Sequence, residues 1–404
     1  MTITKTNPVI HDYERVLERN RQNIKPLRNS ELSLQFLDHL SALGLSVGRV
    51  AKYAAHLPVL LPLIDVELKA LTKTDAEHIV AAINSRPNKA STKSDNKLLL
   101  RKLVQYAKMG SCAKGTPLPS EVSWISLAIK EKNPRVTPET LLTSEDFAAI
   151  IRATQNKRDR AMVYVLFEAA LRPGELLTMT VGSVAFKDNY CLITANGKTG
   201  IKRIPLVVAC KPLLEWLEDH PFGDEPSASL WCSLAHNCVG KQLSYMRFRD
   251  IIQRLAKRAG LKRTVWPYLY RHSSLTAMAK VFTECRLEQF AGWTYGSKMT
   301  RRYVHFSARD LEDAVLELHG MRSVSKNTGL MQVVDCPRCS SKNPFGTTRC
   351  TTCGMILDKE TALRFEETQR QKEGVLQEQN IELRQRLEKL ESFVSSIISA
   401  SGRV

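Results

Sequence analysis

The chain has 404 residues, of which 43% are hydrophobic and 25% charged, ordinary values for two or three soluble globular domains. A formal net charge of +18 favours a polyanionic partner through long-range attraction and counterion release, without choosing among DNA, RNA and an acidic membrane surface. The most apolar early stretch, Ala54 to Ile64, contains Pro58 and Pro62 and is too short to span a bilayer, and Met1 to Lys5 opens without the apolar run of a secretory signal. Of the ten cysteines, four cluster near the C-terminus and six are scattered, which suits an intracellular, cytoplasmic protein with one metal site better than a secreted disulfide scaffold.

In chain order, residues 1–130 read as a helical domain with a basic surface. Leu32, Leu34, Phe36, Leu37, Leu40 and Leu43 recur at helical spacing. Thr74 to Glu77 reads as a capping box for the helix carrying Ile79, Val80 and Ile83. Lys97, Arg101, Lys102 and Lys108 surround the apolar face of the stretch from Leu98 to Tyr106. Residues 131–142, with Pro134 and Pro138 among polar neighbours, read as a linker. Thr143 to Asp146 then caps a new helix, opening a mostly helical domain over 143–325. One hairpin stands out within it. Tyr190 to Thr194 and Ile201 to Val208 are strand-like, with Asn196-Gly197 as the turn.

Arg172 follows an apolar helix and precedes Pro173-Gly174, a tight helix junction that exposes the guanidinium within reach of Glu175. Alone, it would read as an ordinary surface ion pair. Lys198 sits on the hairpin turn, either solvated or reaching into a groove as a proton donor, with Lys202 as a competitor for that role. From Lys241 to Arg263 there are eight basic residues and one acid, Asp250. Arg247, Arg254 and Arg258 share one helical face, and Phe248, Ile252, Leu255 and Ala259 the other, as in a helix laid along a nucleic acid.

Two modules follow. Cys336-Pro337-Arg338-Cys339 and Cys350-Thr351-Thr352-Cys353 can place four thiolates on one ion, a closed and therefore structural site over 333–356, read as zinc. Residues 373–398 read as a coiled-coil-like helix. Leu376, Asn380, Leu383, Leu387, Leu390, Val394 and Ile397 alternate steps of four and three, though Gly374 weakens the start. A buried asparagine favours a parallel two-stranded coil; the alternative is a helix packed on its own domain.

The order Arg172, Lys198, Arg271-His272, Gly292-Trp293, Tyr303 resembles the tyrosine recombinase (integrase) superfamily over residues 140 to 310. The cysteine module resembles archaeal members with a C-terminal zinc ribbon. The resemblance implies a fold that is mainly α with a small β-sheet: a SAM-like helical core-binding domain, then a mixed α/β catalytic domain. It also implies a reaction. Tyr303 attacks a scissile phosphate of double-stranded DNA and forms a 3′-phosphotyrosyl link, releasing a 5′-hydroxyl. Arg172 and Arg271 stabilise the non-bridging oxygens, Lys198 protonates the leaving oxygen, and Trp293 donates its indole N–H or packs the pocket. No metal enters this chemistry, and the active species is a homo-oligomer, dimer to tetramer, on DNA. Tyr268 departs from the pattern, standing where the family has His or Lys. Two other readings stay open: a type IB topoisomerase-like relaxase, which shares the catalytic set, and a catalytically weak DNA-binding regulator, which Tyr268 supports.

Overall fold

A computed structural model of the chain describes residues 10, 12–128, 136–197, 200–306, 315–316, 319, 321 and 332–401. The chain divides into two units, residues 1–135 and 136–404.

The first unit is helical: α1 (Tyr13–Ile24), α2 (Ser30–Ala42), α3 (Val47–Leu60), α4 (Lys73–Ser85), α5 (Ala90–Met109) and the single turn α6 (Ser120–Ser123). Apolar residues at helical spacing meet in one core, with Phe36, Leu37, Leu40, Leu57, Leu99 and Leu103 fully buried. The cap of α4 is Thr72 with Asp75, two residues earlier than the sequence suggests, because Asp75 can reach back to the Thr72 N–H (2.9 Å). The cations of α5 are partly spent on the chain itself. Arg101 donates to the Ile125 carbonyl (3.4 Å), Lys102 to that of Cys112 (3.3 Å), and Lys108 pairs with Glu121.

The second unit opens with α7 (Ser144–Arg152), whose cap is a Thr143–Asp146 box. It continues through α8 (Lys157–Glu168) and the short α9 (Pro173–Leu177) into an antiparallel sheet ordered β1 (Val184–Phe186), β2 (Cys191–Gly197), β3 (Gly200–Leu206). Asn196 and Gly197 are paired strand residues, opposite Ile201 and Gly200, so the strands extend through the turn signal the sequence offers. Helices α10 (Cys210–Glu218), α11 (Tyr245–Arg258), α12 (Pro267–Met278), α13 (Glu284–Ala291) and α14 (Lys298–Phe306) complete the body. Helix α12 is central. Leu269, Tyr270 and Leu275 are buried, and Ser273 Oγ accepts a hydrogen bond from the Leu142 N–H (2.8 Å).

A two-stranded ribbon, β4 (Val334–Asp335) with β5 (Lys342–Asn343), sits against α7 and α8. The Tyr164 hydroxyl donates to the Phe345 carbonyl, and the Phe345 and Phe147 rings lie 6.3 Å apart. Gly346 lies against Ala148 and has φ +77°, a left-handed backbone that favours glycine over any residue with a Cβ. The last element is α15 (Lys359–Ser401), 43 residues long and uninterrupted by Gly374. No helix among the described residues is long and apolar enough to cross a membrane.

Candidate active site

The site forms where α9, the hairpin, α12 and α14 meet. Ala170 adopts a left-handed backbone (φ +46°), which turns the chain sharply after α8 and presents its carbonyl to the Arg271 guanidinium. Arg271 also donates to the Ala291 carbonyl (2.7 Å) and is 3% exposed. Two carbonyls fix the fork, which leaves its charge pointing at the neighbouring cations and at Tyr303.

Arg172 caps α9 on Glu175. The carboxylate accepts from the Arg172 backbone N–H (2.9 Å) and from its guanidinium (2.5 Å). Lys202, from β3, forms an ion pair with the same carboxylate at 2.9 Å, and Arg271 lies 3.9 Å away. One buried anion therefore organises three cations. Burial alone would raise the Glu175 pKa, but the Lys202 charge and the bond from the Arg172 N–H hold it below the usual carboxylate range. Burial pushes Lys202 down to about 8 against the pull of Glu175. Arg271 falls to about 10, first through burial and then through repulsion by Arg172. Gly197 runs past this cluster so closely that a Cβ would sit 2.6 Å from Glu175 Oε1. The hairpin backbone is thus held against the acid up to residue 197; Lys198 lies outside the described residues.

Tyr303, on α14, is 1% exposed. Its ring stacks on Trp293 (centroids 5.4 Å, interplanar angle 22°) and its hydroxyl meets His272 Nδ1 at 2.9 Å. Burial raises the phenol pKa, and Arg271, Arg302 and Arg172 pull it back. The Arg271 guanidinium carbon is 5.8 Å from the Trp293 ring centroid. Tyr268 is 40% exposed, with its ring centroid 6.4 Å from that of His272. So Arg172, Arg271, Trp293 and Tyr303 come together, Tyr268 stands at the edge, and His272 and Lys202 occupy positions that motif order alone did not assign to them. Glu288 is a further addition. This buried acid accepts from the N–H groups of Gly296 (3.1 Å) and Ser297 (2.8 Å) and from the Thr300 hydroxyl (3.0 Å), pinning the start of the helix that carries Tyr303. Nothing in its local sequence marks it.

Arg247, Arg254 and Arg258 are exposed on α11, and Phe248, Ile252 and Leu255 are buried beneath them. In the ribbon, the sulfurs of Cys336, Cys339, Cys350 and Cys353 lie within 4.8 Å of one another, a group able to hold one metal ion. The Cys336–Cys353 and Cys339–Cys350 separations are both 3.6 Å. That is close to the edge of about 3.8 Å expected of a tetrahedron with 2.3 Å metal–sulfur bonds. Asn343, fully buried, directs Nδ2 to Cys350 Sγ (3.6 Å) and accepts from the Thr351 N–H (3.0 Å), orienting the second knuckle.

A buried tyrosine thus lies beside clustered arginines on a helical frame, and known proteins share this arrangement of elements. Residues 140–309 match the family model described as phage integrase family. Tyrosine recombinase XerA of Pyrococcus horikoshii is 26% identical over 291 residues, 71% of this chain and 93% of the relative. Transposase A from transposon Tn554 of Staphylococcus aureus is 24% identical over 204 residues, 47% of this chain. The chain spans about half (54%) of that transposase's length. Among solved structures, the XerH site-specific recombinase in a post-cleavage complex with palindromic difH substrate has a TM-score of 0.54 at 18% identity, covering 78% of this chain and 99% of the other. A lambda integrase dimer bound to a COC' core site has a TM-score of 0.53 at 17% identity, covering 68% and 76%. At these identities the structural likeness shows the fold. Residues 140–309 are therefore similar to the phage integrase family, and the unit that carries them shares the fold of these recombinases.

Proposed function

We propose that the protein is a site-specific DNA recombinase that cleaves and rejoins double-stranded DNA through Tyr303. The observation that carries this reading is the placement of a buried phenol beside Arg271 and Arg172, with a hydrogen-bonding partner for its proton in His272. The phenol oxygen attacks the scissile phosphorus, a 3′-phosphotyrosyl bond forms, and the bond to the 5′-oxygen breaks. Arg172 and Arg271 hold the non-bridging oxygens; guanidinium forks suit the developing charge, and Glu175 keeps them aimed. The departing 5′-oxygen takes a proton from a hairpin lysine, Lys198 at the turn or Lys202 beside Glu175. Trp293 forms the wall on which Tyr303 stacks, and Tyr268 lines the rim as a hydrogen-bond donor to the phosphate.

Arg247, Arg254 and Arg258 contact the DNA backbone. The four ribbon cysteines hold a structural zinc, which ties two knuckles into one module; donor type and spacing fit that metal. The enzyme works in the cytoplasm as an oligomer, from dimer to tetramer, on paired sites. The domains divide the labour: 1–130 for DNA contact, 131–142 as linker, 143–325 for chemistry and 333–356 as ribbon. The transposase likeness supports a role in a mobile element. Lambda integrase, solved as a dimer on a core site and as a tetramer on a Holliday junction, supports the assembly.

The test is a nicked suicide duplex carrying the element's own end sequence. A covalent protein–DNA adduct is expected, absent in Tyr303→Phe. No Tyr303-dependent adduct would defeat the proposal, and plasmid relaxation without recombinant products would favour a topoisomerase instead.

A further inference from the structure

Among the described residues, helix α15 is fastened only at its start. Thr361 and Arg364 line a cleft of about 310 Å³ with Arg152, Arg258 and Asp358, and the Arg349 guanidinium lies 5.5 Å from the Phe365 ring centroid. Beyond this, every side chain from 363 to 392 is exposed, as is Val394. The stripe Leu376, Asn380, Leu383, Leu387, Leu390, Val394 lies in water, with Leu387 57% exposed. Among the described residues, nothing of the chain's own domain covers it. A leucine stripe on a lone helix is an unmet interaction, because the apolar face stabilises a helix only when it is buried.

We propose that this stripe pairs with the same stripe of a second copy of the chain, forming a parallel two-stranded coiled coil that dimerises the protein without DNA. Three observations select that occupant. First, the stripe is narrow and keeps a 3.5-residue period, so it stays in line with another supercoiled helix rather than with a flat surface. It runs from 376 to 394, a seam of about 27 Å. Second, Leu383 and Leu390 occupy one seam position, and Asn380, Leu387 and Val394 the other. Leucine in the first position with β-branched or asparagine residues in the second favours two parallel strands, where each Asn380 meets its own copy. Third, the flanking charges are complementary. Arg386 precedes the seam residue Leu387, and Glu391 follows the seam residue Leu390. In a parallel pair these are facing flank positions, so each Arg386 meets the other copy's Glu391, twice per dimer. Within one helix the two are five residues apart and do not face each other; Arg386 pairs internally with Glu382 (3.0 Å). Parallel pairing would bring the two copies' ribbons to the same end of the coil, so two catalytic units would reach DNA together and the second would bind at raised effective concentration.

The inference goes beyond the strand-exchange reading and does not rest on it, since assembly is read without DNA. The experiment is sedimentation equilibrium of the full chain, free of nucleic acid, across micromolar concentrations. A reversible monomer–dimer equilibrium is expected. Leu387→Asp should weaken it at least about tenfold by opening the seam. Arg386→Glu alone should weaken it, and Arg386→Glu with Glu391→Arg should restore it. An unchanged thermal melt and adduct formation on the suicide duplex by Leu387→Asp would show that the catalytic fold is intact, separating failure of the tail from failure of the enzyme reading. A chain that stays monomeric, a dimer formed only on DNA, a dimer that Leu387→Asp leaves unchanged, or a charge swap that restores nothing would each overturn the proposal.

Discussion

His272 Nδ1 stands 2.9 Å from the Tyr303 hydroxyl, and the two rings overlap with centroids 5.9 Å apart. The residue beside Arg271 in sequence therefore touches the proposed nucleophile, while Tyr268, three residues before Arg271, is half exposed at the rim. A proton leaving the phenol has an imidazole to receive it, which a neutral phenol at 268 is poorly suited to do. His272→Phe is expected to slow adduct formation about 10²–10⁴-fold, and Tyr268→Phe less than about tenfold. Single-turnover cleavage of the suicide duplex measures both, and the reverse ranking would move the proton acceptor to position 268.

Glu175 is the sole carboxylate, among the described residues, paired with Arg172, Lys202 and Arg271. Glu175→Gln leaves three buried or half-buried cations facing one another. A loss of about 3–5 kcal/mol of stability is expected, since breaking a buried ionic group strands its partners. Urea unfolding of the variant reads this directly; a loss within experimental error would mean that the cluster relaxes into solvent.

Lys202 carries a pH signature. Its pKa is lowered to about 8 in the fold, below the ordinary lysine value. The folded state therefore binds fewer protons than the unfolded chain between pH 8 and about 10.4, and stability contributed at this position rises with pH across that window. Below pH 8 both states are protonated and the penalty for burying the charge is fully present. Wild type should gain stability relative to Lys202→Met as pH rises from about 8 to 10. Urea midpoints of the pair, compared at each pH, check this; a difference that stays flat contradicts the lowered pKa.

Metal removal should loosen more than the ribbon. The knuckle bearing Cys350 is joined through Asn343 to the segment whose Phe345 carbonyl receives the Tyr164 hydroxyl of α8. Cys350→Ser is expected to lose about one zinc per chain and to lower the melting temperature of the second unit. Metal analysis with calorimetry distinguishes this from a ribbon that unfolds alone and leaves the main transition in place.

Glu288→Gln should slow cleavage without abolishing DNA binding, because the acid holds the turn ahead of α14 and Thr300 in its first turn. An amide can accept some of these bonds but lacks the charge that makes them strong. Adduct formation should fall while retardation of duplex in gels stays the same; equal losses in both would assign Glu288 a general folding role.

Much of this arrangement is legible in sequence because it is local or ordered. Leu37, Leu40 and their neighbours announce a helix by period alone, and Cys336, Cys339, Cys350 and Cys353 announce a metal-binding group by spacing. Arg172, Arg271 and Tyr303 are readable as an ordered set, and the structure brings them together. What escapes is long-range. Tyr164 and Phe345 are 181 positions apart, and nothing in either neighbourhood says that they touch. Glu288 looks like any acid on a helix until the following turn folds back onto it. The position of the α4 cap, at Thr72 rather than Thr74, was decided by which threonine a carboxylate could reach, a difference of two residues that pattern alone does not resolve. Gly374 costs a helix about 1 kcal/mol, too little to stop one of this length.

The cluster around Glu175 is overcharged: three cations share one anion, and Arg172 repels Arg271 strongly enough to help depress its pKa. Without DNA the fold carries this repulsion as a standing electrostatic load. On the proposed reading, a phosphate set among the guanidiniums would discharge it, and part of the free energy of DNA binding would be relief of strain already present in the protein. Folding and binding are therefore linked through one site, and polyanions should raise the thermal stability of the catalytic unit in a way that salt progressively erases.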